Sequence, residues 1–154
     1  MTFGEAIHSV FSKYATFSGR ARRSEYWYYC LFNFLITISL NFLSRFIGGS
    51  IGSILSIIQL VYGLAVFIPG LAVGWRRLHD IGKSGLYCFL PAIPACLSGV
   101  LFAIMIGSRT DKTVYRALFG VFFVLTLILI IIILVWLCKD SQPGDNKYGP
   151  NPKK

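Results

Sequence analysis

Four apolar stretches, each about twenty residues or longer, fill residues 27–138, and the lysines and arginines gather mainly on one side of them. A helix rising 1.5 Å per residue needs ~20 apolar residues to cross a ~30 Å hydrocarbon core. The expected spans are about 27–45, 51–74, 86–107 and 117–138. One such run could be the core helix of a soluble protein. Four of them in 154 residues leave too little chain to cover one another. Only 14% of the residues are charged against 55% hydrophobic, which excludes an ordinary water-soluble domain. The expected class is an all-α integral membrane protein: four transmembrane helices and a short N-terminal amphipathic, interfacial helix. It forms a single membrane domain over residues 1–154.

Orientation follows from the cations. Lys13, Arg20, Arg22 and Arg23 precede the first span; Arg76, Arg77 and Lys83 fall between the second and third; Lys139, Lys147, Lys153 and Lys154 follow the fourth. The opposite side carries Arg45, Arg109, Lys112 and Arg116. Eleven against four favours cytoplasmic termini, because cytoplasmic loops retain Lys and Arg. An even number of spans gives the same answer. The net charge of +9 thus reads as a topology signal and an attraction to anionic headgroups, so membrane lipid is an expected partner and nucleic acid is not. No cleavable signal peptide is expected, since the first apolar run follows a polar arm too long for one. Cys30, Cys88, Cys96 and Cys138 lack CxxC spacing, and none is expected on the oxidising side.

Residues 2–17 predict the interfacial helix, lying in the cytoplasmic headgroup layer or docked against the ends of the bundle. Phe3, Ile7, Val10 and Tyr14 recur at helical spacing, with Ala6, Phe11 and Phe17 widening the stripe, and Thr2 with Glu5 fits a capping box. Within the spans, Cys30, Asn33, Thr37, Asn41 and Ser44 share one face of the first. Gly52, Ser56, Gln59 and Gly63 share one of the second, and Ala95, Gly99, Ala103 and Gly107 one of the third. Small and weakly polar stripes of this kind let helices approach and hydrogen-bond. Pro69, Pro91 and Pro94 predict bends or local unwinding. Outside the spans, 44–50 and 108–116 are short connectors, and the tail after Cys138 is a run of turns.

Three segments on the inner side carry more than topology requires: residues 17–27, 75–85 and 140–152. Within them, Gly19-Arg20-x-x-Arg23-x-Glu25-Tyr26-Trp27, Arg76-Arg77-Leu78-His79-Asp80-Ile81-Gly82-Lys83-Ser84-Gly85 and Gly144-x-Asn146-x-Tyr148-Gly149-Pro150-x-Pro152 resemble a family of small bacterial inner-membrane proteins. This is the YhaH/YhaI type, known as domain of unknown function 805, and the resemblance covers nearly the whole chain. It implies a four-helix protein of the bacterial inner membrane with no assigned activity. The family usually has Trp after the Ser-Gly; here Leu86 and Tyr87 follow, and an interfacial anchor is in question.

Charges in the half-dry headgroup zone are costly unless paired. Asp80 is expected to accept from an Arg of the first segment, and Glu25 from Arg76 or Arg77. Gly82 and Gly85 are expected to allow the turn into the third span. Asn146 and Tyr148 are expected to bring the tail back over the pairs. The candidate structural or binding cluster is therefore Arg20, Arg23, Glu25, Arg76, Arg77, His79, Asp80, Asn146 and Tyr148.

No catalytic, cofactor-binding or metal-ligating set is expected. His79 has no second nearby His, no Cys pair and no Glu at zinc spacing, and no phosphate loop, nucleophile elbow or zincin signature occurs. No ionisable residue falls near the middle of a span, as coupled transport usually requires. The expected function is non-enzymatic, through contacts with lipid, a second copy or a partner membrane protein at the cytoplasmic face. The alternative is an oligomeric channel or transporter for a small solute, using the polar stripes of the first and second spans, with Asn33, Asn41 and Gln59 their strongly polar members.

Overall fold

A computed structural model of the chain describes residues 1–107 and 113–153; Arg109, Lys112 and Lys154 of the charge count, and most of the 108–116 connector, lie outside the described residues. The described residues are helical throughout their regular structure: α1 (Phe3–Ser12), α2 (Arg23–Ile47), α3 (Gly49–Asp80), a 3₁₀ turn (Gly85–Phe89), α4 (Ala92–Gly107) and α5 (Thr113–Cys138). Four helical segments are long and apolar enough to cross a membrane: Arg23–Ile47, Gly49–Asp80, Gly85–Gly107 and Thr113–Cys138. Their apolar side chains point outward for the most part, the reverse of a water-soluble core. The chain divides into two units, Met1–Gly85 with Asp140–Lys154, and Leu86–Lys139.

In the first unit, α1 starts where the Thr2 hydroxyl accepts from the Glu5 amide (3.3 Å) and the Glu5 carboxylate accepts from the Thr2 amide (2.8 Å). It is shorter than the helix expected over 2–17. Lys13 leaves helical geometry, with φ −108° and ψ 40°. The reason lies in two anchors counted in the helical stripe. The Tyr14 hydroxyl donates to the Ala65 carbonyl of α3, and Phe17 meets Trp75 edge-on at 5.6 Å. Both hold the chain against α3 from a non-helical segment. Phe3 and Phe11 pack on α2 through Tyr28, Tyr29 and Phe32, so α1 is docked on its neighbours.

Pro69 sits inside α3 without ending it. A proline lacks the N–H that would bond the carbonyl four residues earlier, here Ala65. That is the carbonyl which the Tyr14 hydroxyl meets; the next one, Val66, accepts from the Tyr29 hydroxyl at 2.7 Å. The freed Ala65 acceptor is thus satisfied from the segment after α1, and the helix continues. At Pro91 the Tyr87 carbonyl accepts instead from the Leu90 amide (3.1 Å), in 3₁₀ fashion. The 3₁₀ turn ends at Phe89 and α4 begins at Ala92, so the expected third span is broken at its start.

The α2–α3 hairpin turns at Gly48 and Gly49, both with positive φ (63° and 56°). Beyond it, Ser44 and Ser56 hydroxyls lie 3.0 Å apart, and a Cβ on Gly52 would come within 2.6 Å of the Ser44 carbonyl oxygen. The small residues of both helices are here used for close approach.

In the second unit, α4 meets α5 through Phe102 and Phe119 (5.8 Å), and the 3₁₀ turn before it meets α5 through Tyr87 and Trp136 (5.5 Å). The buried positions of α4 are Pro94 and Ser98. The expected small-residue face is not the contact face: Gly99 and Ala103 are exposed, and a Cβ on Gly99 would meet nothing within 4 Å. The contact with α5 is made by the Phe102 and Phe119 rings, and no close backbone approach occurs at Gly99.

Candidate functional site

The last turn of α3 is an unusual piece of helix. Arg76, Arg77, Leu78, His79 and Asp80 are all buried, although four of them are polar or ionisable. Buried charge persists only when paired and hydrogen-bonded. The partners come from the first turn of α2, the segment before it, α1 and the tail.

Two carboxylates serve three guanidinium groups. Asp80, with a fully buried side chain, accepts from Arg20 Nε on Oδ1 (2.9 Å) and from Arg77 on Oδ2. Glu25 accepts on Oε1 from Arg76 Nη1 (2.9 Å) and from the Ser9 hydroxyl of α1 (3.1 Å). The buried set therefore holds one positive charge more than its carboxylates neutralise.

Arg20 does more than pair with Asp80. Its Nη1 donates to the Gly144 carbonyl at 2.8 Å and the Gly149 carbonyl at 3.3 Å; its Nη2 donates to the Gln142 carbonyl at 2.8 Å and the Asp80 carbonyl at 3.4 Å. With Nε on Asp80, each of the five N–H groups of this guanidinium has an acceptor. Arg20 thereby ties the end of α3 to three carbonyls of the tail.

The tail presents those carbonyls because it folds back twice. Asn146 and Gly149 exchange backbone hydrogen bonds (3.1 and 3.0 Å), and Gly144 and Gly149 adopt positive φ. The Asn146 side-chain amide donates to the His79 carbonyl at 3.0 Å, and the Tyr148 ring stacks on the His79 imidazole at 3.8 Å and 4°. His79 Nδ1 lies 3.2 Å from the Gly19 carbonyl, so the proton on that nitrogen is the one donated. The Gln142 amide donates to the Asp80 carbonyl at 3.1 Å.

Two glycines make room. A side chain on Gly82 (φ +75°) would collide with the Gln142 amide, and one on Gly85 would overlap the Trp75 indole.

Arg23 stands outside the buried set. Its side chain is 47% exposed and lies 3.5 Å from Asp140, which also pairs with Lys153. The Lys153 ammonium and the Ser141 amide hold the Asp140 carboxyl below the usual carboxylate range. Of the nine candidate residues, eight meet around the end of α3, and Arg23 belongs to this exposed strap. Ser9, Gln142, Asp140 and Lys153 also take part, although the sequence pattern does not place them in the candidate cluster. Ser9 is a polar residue outside the apolar stripe of α1, and Gln142 contributes mainly its backbone, which no residue-type pattern reveals.

Among the described residues, no group of three His, Cys, Asp or Glu is placed to hold a metal ion.

A family model described as protein of unknown function (DUF805) matches residues 14–150. Inner membrane protein YhaH of Escherichia coli (strain K12) is 33% identical over 144 residues, 94% of this chain and 93% of that protein. Inner membrane protein YhaI of the same organism is 31% identical over 145 residues, 94% and 92% of the two chains. Uncharacterized protein YiiR is 31% identical over 137 residues, 87% and 84%. No solved structure matches.

Proposed function

The chain belongs to the family described as protein of unknown function (DUF805), and on that premise we propose a non-enzymatic, multi-pass protein of the bacterial inner membrane. It works through contacts with lipid or partner membrane proteins made at its cytoplasmic face. Both termini are cytoplasmic. Helix α1 lies at the headgroup level, docked on α2 and α3, and the charged end of α3 with its tail is the working surface.

The observation that carries this reading is where the order is invested. The long helices leave most of their apolar surface outward, whereas the buried hydrogen-bonded charges collect at one end of α2 and α3. A scaffold needing only to span lipid has no use for five buried ionic side chains, each costly to desolvate. Holding a loop and a tail in one shape at the headgroup level is a use for them. The polar stripe of α2 is spent on contacts with its own hairpin: the Tyr62 hydroxyl donates to Asn33 Oδ1 at 2.7 Å, and Asn33 Nδ2 donates to the Tyr29 carbonyl at 2.8 Å.

Photo-crosslinking in intact membranes tests the proposal, with the reactive residue placed at Arg22 or Lys147, or at Phe46 on the other end of α2. Discrete lipid or protein adducts are expected from Arg22 and Lys147, weakened by Asp80→Asn. Adducts from Phe46 alone would contradict it. So would solute flux in reconstituted vesicles that Asn33→Leu with Gln59→Leu abolishes in a folded protein.

A further inference from the structure

Two arginines of the buried set differ in one respect. Every N–H of Arg20 has an acceptor; Arg76 donates through Nη1 to Glu25, while its Nε and Nη2 are buried with no hydrogen-bond partner. Nε and Nη2 form the side edge of the guanidinium, the fork that meets a carboxylate or phosphate through two parallel N–H···O bonds. The Arg76 side chain is 1% exposed, so bulk water does not compensate for the empty edge.

Arg76 lines a cavity of about 320 Å³ between the end of α1, the segment before α2 and the tail. The other polar residues around it are Lys13, Thr16, Ser18, Arg20 and Asn151, and no Asp or Glu lines it. Among the described residues Lys13 has no ion-pair partner. The volume is at the small end of ligand cavities, which run from about 300 Å³. A cavity whose charged lining residues are all cations concentrates anions.

We propose that this cavity binds a phosphate-type oxyanion, held by the Lys13 ammonium and the hydroxyls of Thr16 and Ser18, with the Arg76 guanidinium in its wall turning the unpartnered Nε–Nη2 edge to meet it. Phosphate suits the site better than a carboxylate because the surplus positive charge and the hydroxyl donors exceed what two oxygens can accept. The phosphoryl group comes either from a soluble phosphate compound or from a lipid headgroup. The inference rests on the reading that this end of the helices works at the cytoplasmic headgroup level, and it names what that surface holds.

The test uses the full chain in phosphatidylcholine nanodiscs, titrated with inorganic phosphate and followed by calorimetry, with a parallel set containing phosphatidylglycerol. Saturable phosphate binding is expected, weakened at least about tenfold by Arg76→Lys, which keeps a charge opposite Glu25 but lacks the fork. Lys13→Gln, an exposed change, should weaken it as well and decides the matter if Arg76→Lys does not fold. Suppression of phosphate binding by phosphatidylglycerol assigns the site to a headgroup; unchanged binding there assigns it to a soluble phosphate. The proposal is overturned if inorganic phosphate does not bind saturably in phosphatidylcholine discs, or if both folded variants bind it as the unmodified protein does. Lost phosphate binding with intact crosslinks at Arg22 and Lys147 removes this site alone. Intact phosphate binding with crosslinks only at Phe46 removes the wider functional reading alone.

Discussion

Arg20 Nε meets Asp80 Oδ1 at 2.9 Å, joining residues 60 positions apart in the sequence, with both side chains out of reach of solvent. Through the same guanidinium Asp80 is linked to Gln142, Gly144 and Gly149, so one residue before α2 joins the end of α3 to the tail. Removing one partner of a buried pair leaves a charge that neither water nor protein neutralises.

Asp80→Asn should therefore destabilise the protein by about 3–5 kcal/mol, because Arg20 and Arg77 both lose their carboxylate. Unfolding in detergent, followed by tryptophan fluorescence, measures it. Arg23→Gln, at a half-exposed pair, should stay within about 1 kcal/mol of the unmodified protein. Equal losses for the two would remove the distinction between buried clamp and exposed strap.

Tyr14→Phe should cost about 1 kcal/mol by leaving the Ala65 carbonyl without a donor. Pro69→Ala restores an N–H to that carbonyl, so the tyrosine change should cost less in its presence. A double-mutant cycle reads this coupling. Additive effects would mean that Tyr14 and Pro69 act independently.

Gly85→Ala should be strongly destabilising, since the added methyl overlaps the Trp75 ring, whereas Gly99→Ala should be neutral or mildly stabilising. Membrane-integrated protein recovered in mild detergent, compared by thermal aggregation, separates the two. A harmful Gly99→Ala would indicate that the small-residue face of α4 is covered by a partner.

The tail strap should loosen in acid. Asp140 has its carboxyl pKa depressed by Lys153 and the Ser141 amide, so its contribution is present above the unfolded carboxylate value and is lost as pH falls through the lower folded value. Protease cleavage after Lys147 or Lys153 should rise over that acid range. In Asp140→Asn it should already be raised at neutral pH and depend less on acid. An unmodified protein whose tail is equally resistant at every pH would refute the strap.

How much of this was legible beforehand depends on the physical signal. Hydrocarbon-length apolar runs are long and redundant, so the four long helices stood out from composition and spacing. Charge also singled out Asp80 and Glu25, because isolated carboxylates amid arginines must have partners. Where α1 stops was not legible, since Tyr14 and Phe17 keep helical spacing while making contacts from a non-helical segment. The stripe of Ala95, Gly99, Ala103 and Gly107 misled for a related reason: small residues permit close approach without requiring it. The main acceptors of Arg20 in the tail are backbone carbonyls, and any residue type carries one. The same limit hid the relation between Tyr14 and Pro69, where an absent N–H, not a side chain, creates the demand.

The account depends most on the charged end of α2 and α3 lying in the cytoplasm. Fusing green fluorescent protein or alkaline phosphatase to the C-terminal end, in parallel strains, measures that directly. A fluorescent first fusion and an inactive second are predicted. Phosphatase activity without fluorescence would put the Arg20–Asp80 clamp outside the cell and contradict the proposed working surface.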